Sequence, residues 1–368
     1  MPGIDLKPTP VSDFFESLGY QPEIVDGTKI FKKFESVESE MNSIFSGVGL
    51  REITNSAVIE LKGNDVLDFL HRISTNSLKD LPKENFKRTV FTNEKGRIID
   101  LATVVNFGDH QLLISSESHK DKLMRWIEKY VIIDDVQITD INGKYILLEL
   151  LGPQADSFIT LVCGGVVNEI KPGMFKAVRS EGIIFFLAKL IDATGHMKYY
   201  ILSDSINAIE LIKYMQENKG PFDFNFIGEE AYSAYRISFG IPFAPNELND
   251  LFNPHEAKLL DCVSFTKGCY IGQEVIARLD TYDKVQKYLC GITFKDAVDN
   301  DEQFVLFHND DVEVGMVTSS IYSVRCKRHI GLAYIRKTYA DEGTELVAKN
   351  NNGKTTTVVV ENIPIKKR

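Results

Sequence analysis

Apolar positions first recur at helical spacing over residues 11–20 (VSDFFESLGY), where Phe14, Phe15 and Leu18 share one side. Residues 21–40 are polar and charged without a firm period, and the pattern sharpens from Gly49. Residues 57–61 read as a strand. The helix after it runs to about Ile73, with Asn64 as its N-cap and Leu67 and Leu70 on the inner face. Residues 89–92 and 98–106 pair as a hairpin around Asn93-Glu94-Lys95-Gly96, because glycine accepts the positive φ of a tight turn. Residues 111–115 continue as a strand, and residues 120–130 form a helix carrying the single tryptophan, Trp126.

The order strand, helix, strand, strand, strand, helix then recurs over 145–150, 154–163, 174–179, 183–191, 199–202 and 205–217. This recurrence predicts two similar α+β units within the first 280 residues or so. After Tyr288 the helical period vanishes. Six short strand-like runs (289–294, 304–307, 312–318, 330–334, 345–348 and 355–361) are separated by Gly, Asn and Asp turns, which predicts a small barrel. The expected division is an N-terminal extension over 1–48, an α+β region over 49–284 and the barrel over 285–368.

With 43% hydrophobic residues, the 368-residue chain has material for a substantial core. Its net charge of −10 argues against binding nucleic acid directly. No run reaches the roughly 18 apolar residues of a membrane span, and 183–191, broken by Lys189, reads as a buried strand. A basic segment followed by an apolar run is missing near Met1, so a cytoplasmic protein is expected. The five cysteines form no C-x-x-C, and the seven histidines no H-E-x-x-H, so no metal site is expected.

Residues 261–284 (DCVSFTKGCYIGQEVIARLDTYDK) hold the densest chemistry. Residues 263–266 read as a brief strand, 267–269 as a turn, and 273–279 as a helix with Val275, Ile276 and Leu279 inward. Cys269 then precedes a helix N-terminus and lies two residues from Lys267, both of which favour a thiolate; Glu274 opposes it. Gly268 and Gly272 allow a sharp turn or close approach to a ligand. On the plainer alternative, Cys269 is a small buried apolar group, and Gln273 and Glu274 satisfy helix N–H groups.

The octapeptide K-G-C-Y-I-G-Q-E, Lys267 to Glu274, resembles the signature of the YgfZ family of folate-binding proteins, whose members support iron–sulfur enzymes. That family is similar in fold to the glycine cleavage T-protein, an aminomethyltransferase. Weaker resemblances occur in the same order: Phe69-Leu70 with Thr75-Asn76, the Lys95-Gly96-Arg97 turn, Gly152-Pro153-Gln154-Ala155, Arg236-Ile237-Ser238-Phe239-Gly240, and Pro254-His255-Glu256-Ala257. The resemblance implies an α+β cloverleaf of three lobes around a hole that admits tetrahydrofolate. The first two lobes interleave and the third is the barrel.

It further implies that Cys269 and Asp100 act chemically. Arg97, Arg236, Glu256, Lys267, Gly268, Tyr270, Gly272, Gln273 and Glu274 would surround the folate. The implied role is assembly or repair of iron–sulfur clusters, for example in tRNA-modifying enzymes, with iron–sulfur proteins as partners. The alternative is folate-dependent aminomethyl transfer with a lipoyl carrier protein. Three departures weigh against that alternative. The T-protein segment T-G-E-D-G-Y-E-I appears as T-G-H-M-K-Y-Y-I (residues 194–201) without its acids; Ser238 replaces a glutamate; and Asp100 is the one carboxylate kept of an acidic pair. Read structurally, Asp100 pairs with Arg97, Arg236 pairs with Glu256 or Asp261, and Glu256 caps a turn. Lys267 and Arg278 would place positive potential near Cys269.

Overall fold

The computed structural model describes residues 9–366, apart from 26, 54, 55, 118, 119, 301, 310 and 311. Two open sheets and a closed barrel organise the chain. In spatial order the first sheet contains Phe175–Ser180, Ile183–Ile191, Met197–Ser203, Ile146–Leu151, Val48–Ile53 and Phe224–Phe226. The second contains Asn85–Thr92, Ile98–Asn106, Gln111–Ile114, Val58–Lys62 and Gln137–Asp140. Val48–Ile53 pairs with Ile146–Leu151, and the whole second sheet lies between them in sequence, so the two α+β lobes interleave.

Alternation along the strands explains how the sheets meet. Leu148, Leu150, Phe185, Leu187, Tyr199 and Ile201 point to one side of the first sheet, into a core shared with helices Pro10–Ser17, Ala155–Cys163 and Ser205–Glu217. Ala102, Val104 and Phe91 do the same in the second sheet, beneath helices Val66–Ile73 and Lys120–Glu128. The opposite faces carry Phe86, Val105, Leu147, Phe175 and Leu202, which form a thin apolar layer between the sheets. Residues 1–48 are set apart in the sequence reading. From Pro10 onward they are integral to the first lobe, with Val11 and Phe15 buried in its core.

The barrel closes in the order Lys287–Phe294, Arg328–Arg336, Val312–Ser323, Phe304–His308, Glu345–Asn350 and Thr355–Glu361. All six expected strands are present, most of them longer than predicted. Two local expectations fail. Asn64 does not cap its helix, which starts at Val66; its side chain instead donates to Asp135 at 2.8 Å. Residues 263–266 join no sheet, because Ser264 N donates to Thr75 O and the segment runs on as loop. Among the described residues no helix is long and apolar enough to cross a membrane.

Candidate functional site

Where the inner faces of the two sheets diverge they leave a funnel of about 1170 Å³, part of it open to solvent. Strand alternation selects its lining. Phe86 and Arg88 come from one strand, Leu101, Thr103 and Val105 from the next, and Lys198, Tyr200 and Leu202 from the facing sheet. Phe107, Phe175 and Phe186 form an aromatic wall with ring centroids 4.7–6.1 Å apart. Ile241–Ala244, in the loop after helix Glu229–Ser238, completes the rim.

A chain of buried charges reaches the funnel. Lys198 Nζ meets Glu149 Oε1 at 2.7 Å, Glu149 Oε2 lies 3.3 Å from Arg51 Nη1, and Arg51 Nη2 meets Glu117 Oε2 at 2.5 Å. The Arg51 guanidinium covers the Tyr232 ring, 3.6 Å from its centroid. Burial pushes Glu149 up, but Lys198 and Arg51 outweigh it and hold the carboxyl below its usual range. For Glu117 burial prevails over Arg51, and its carboxyl is raised to about 7. Lys198 and Glu117 both line the funnel, each held by an ion pair.

Asp100 is fully buried beside this funnel. It accepts from the Ser116 hydroxyl and, at 2.8 Å, from Leu101 N; Ser115 and Ser116 line the cavity. The expected pairing with Arg97 does not form. Arg97 Nη1 instead meets Glu256 Oε2 at 3.1 Å and Leu251 O at 3.0 Å. Glu256 also accepts from Asn253 N at 3.0 Å, so it caps its own turn while burial raises its pKa. Arg236 pairs with neither Glu256 nor Asp261. Its Nη1 meets Glu247 Oε2 at 3.2 Å and its Nη2 meets Ser319 Oγ at 3.0 Å, joining helix Glu229–Ser238 to the barrel.

The octapeptide divides into anchors and free groups. Lys267 turns inward and donates to the carbonyls of His71, Ser74 (2.6 Å) and Asn76 (2.8 Å). Burial and Lys87 pull its pKa down to about 7, while the three carbonyl acceptors favour the ammonium form. Tyr270 is buried, and Gly272, at φ +82°, precedes a helix that begins at Gln273 and fully buries Ile276 alone. Cys269 is therefore four residues from the helix start, and the Lys267 ammonium is committed elsewhere. The thiol is exposed, as are Gly268 and Glu274. None of Cys269, Lys267, Gly272, Arg236, Glu256 and Arg97 lines the funnel.

The sequence reading missed Arg51, Arg88, Glu117, Glu149, Lys198 and Tyr200. The available signal was the stretch Lys198-Tyr199-Tyr200, whose alternate members face the funnel where the T-protein pattern carries an acid.

Comparison with known proteins extends this picture. The family model described as the GCVT N-terminal domain matches residues 12–267, and the glycine cleavage T-protein C-terminal barrel domain matches 287–366. An aminomethyltransferase of Thermoanaerobacter pseudethanolicus is 26% identical over 368 residues, covering 98% of this chain and 95% of that protein. One from Caldanaerobacter subterraneus is 26% identical over 366 residues, covering 98% and 94%. The crystal structure of aminomethyltransferase T from Bartonella henselae superposes with a TM-score of 0.83 at 18% identity, covering 98% of both chains. The relatives' names thus favour the aminomethyltransferase alternative over the iron–sulfur role.

Proposed function

Because the chain belongs to the glycine cleavage T-protein family, which uses tetrahydrofolate, we propose that its funnel binds tetrahydrofolate for one-carbon transfer of the aminomethyltransferase kind. One observation carries this reading: Ser116, which donates to the buried Asp100, lines an aromatic-walled cavity between the lobes. The residues present suit a reduced pteridine. Phe107, Phe175 and Phe186 offer flat apolar surface, and Glu117 supplies a carboxyl group to the lining. Tyr200 occupies the place of the missing acid, so Glu117 takes over as acceptor for the ring's N–H edge.

When bound, tetrahydrofolate supplies the nitrogen that receives the one-carbon unit. The protein's own part is to exclude water and move a proton. The Ser116 hydroxyl donates to Asp100, and the Ser116 oxygen can accept a hydrogen bond from a ligand N–H in the cavity. Asp100 is the terminal base of this two-member relay, and Glu149 fixes Lys198 on the facing sheet.

The test is formation of 5,10-methylene-tetrahydrofolate from an aminomethylated lipoyl carrier protein. Turnover in the wild type that falls by about a hundredfold or more in Asp100→Asn supports the reading. Folate binding without turnover opposes it and favours a second one, the folate-binding accessory protein for iron–sulfur enzymes. The observation behind this second reading is that Cys269 is exposed, whereas burial pushes Cys163 and Cys262 up to about 12. Cys269→Ala, folded but unable to complement a strain lacking such a protein, distinguishes the two.

A further inference from the structure

Three charged side chains line the funnel among the described residues: Glu117, Lys198 and Arg88. Glu117 is joined to Arg51 and Lys198 to Glu149. Arg88 differs. Among the described residues no carboxylate lies within ion-pair distance of its guanidinium; Asn76 Nδ2 donates to its backbone carbonyl at 2.8 Å. The side chain projects from strand Asn85–Thr92, opposite Thr103 and two residues after Phe86, and both neighbours also face the cavity. Tyr200 and Tyr232 share this part of the lining, and Asp261 acts on Arg88 only at a distance.

A guanidinium holds five donors in a rigid plane and cannot shed its charge. Kept in a hollow with aromatic walls and without an ion-pair partner among the described residues, it weakens the fold until an anion arrives. We propose that Arg88 is the carboxylate-anchoring residue of the funnel, forming a paired N–H···O contact with a carboxylate of the ligand and so selecting carboxylate-bearing ligands over neutral rings. The proposal rests on the folate reading for the ring, but not for the anion. Two sources share the required chemistry: the glutamyl tail of a folate, and the carboxylate of a small amino-acid donor.

Calorimetric titration of the full chain and of Arg88→Gln separates the possibilities with three probes. 6-Methyltetrahydropterin carries the ring without a tail, p-aminobenzoylglutamate the tail without the ring, and sarcosine an amino-acid carboxylate alone. The expected result is a loss of about ten- to a hundredfold in affinity for one carboxylate probe, with the affinity for the pterin changed less than about twofold. Whichever carboxylate probe responds identifies the source. Wild-type binding of a carboxylate probe but not of the pterin leaves the anion site standing and removes the folate reading. Equal affinities in the two proteins, or no wild-type binding of either carboxylate probe, overturns the proposal. Thermal melting adds a readout independent of ligand: Arg88→Met should melt at a higher temperature than the wild type. A lower one would assign Arg88 a structural role and also overturn the proposal.

Discussion

Gly272 presses directly on the carbonyl oxygen of Asn93: a Cβ at Gly272 would stand 2.5 Å from that oxygen and 3.0 Å from Gly96 Cα. The same joint carries a hydrogen bond of 2.7 Å from Thr92 Oγ1 to Ile271 O. The octapeptide thus locks the helix Gln273–Thr281 onto the hairpin that precedes Asp100. This constraint accounts for much of the motif without any chemistry at Cys269.

Gly272→Ala should consequently destabilise the chain by about 1–3 kcal/mol, through both the clash and the positive φ. At Gly268 a Cβ meets nothing within 4 Å, so Gly268→Ala should fall within about 0.5 kcal/mol of wild type. Denaturant midpoints of the two variants, compared at equal slope, check the contrast.

The Arg236–Glu247 pair yields a second prediction. Glu247 is completely buried and accepts from Arg236, Ser319 Oγ (2.7 Å) and Phe243 N (3.0 Å). Glu247→Ala strands the arginine and should cost about 3–5 kcal/mol, measured by chemical denaturation. Exchanging both partners for apolar residues of similar volume should recover most of that loss.

Glu52 makes stability depend on pH. Burial raises its carboxyl to about 7 against a hydrogen bond from the Thr9 hydroxyl, 2.8 Å away. The folded chain therefore keeps a proton between about pH 4.5 and 7 that the unfolded chain releases. Stability from this group is full below about 4.5 and declines as pH rises to about 7. Melting temperature should fall across that window, and Glu52→Gln should flatten the part due to Glu52. An unchanged profile in the variant would remove Glu52 from the account.

The barrel strands and the hairpin at Asn93–Gly96 were legible because turn residues punctuate short apolar runs there. The funnel was not, for a specific reason. In Met197–Ser203 and Ile146–Leu151, alternation groups Lys198 with Tyr200 and Leu202, and Glu149 with Leu147. Period-two patterning tells which side chains share a face, but not whether that face meets water or another sheet. The pattern alone therefore did not reveal that Glu149 is almost wholly buried and pairs with Lys198 across neighbouring strands. Asp100 was singled out, yet its partner proved to be Ser116, a residue on a different segment with no distinguishing local pattern. Strand Val48–Ile53 escaped notice because its partners lie about a hundred residues away or more.

The placement of the second sheet between Val48–Ile53 and Ile146–Leu151 bears on the order in which the molecule is made. As the polypeptide leaves the ribosome, residues 58–140 emerge with every strand of their own sheet in hand. Val48–Ile53, synthesised earlier, must wait for Ile146–Leu151 before it gains a neighbour, and its parallel partner Phe224–Phe226 comes later still. The part translated second is thus the first able to mature. The opening segment stays without its sheet until the inserted lobe is complete, which makes it the stretch most in need of shielding during biosynthesis.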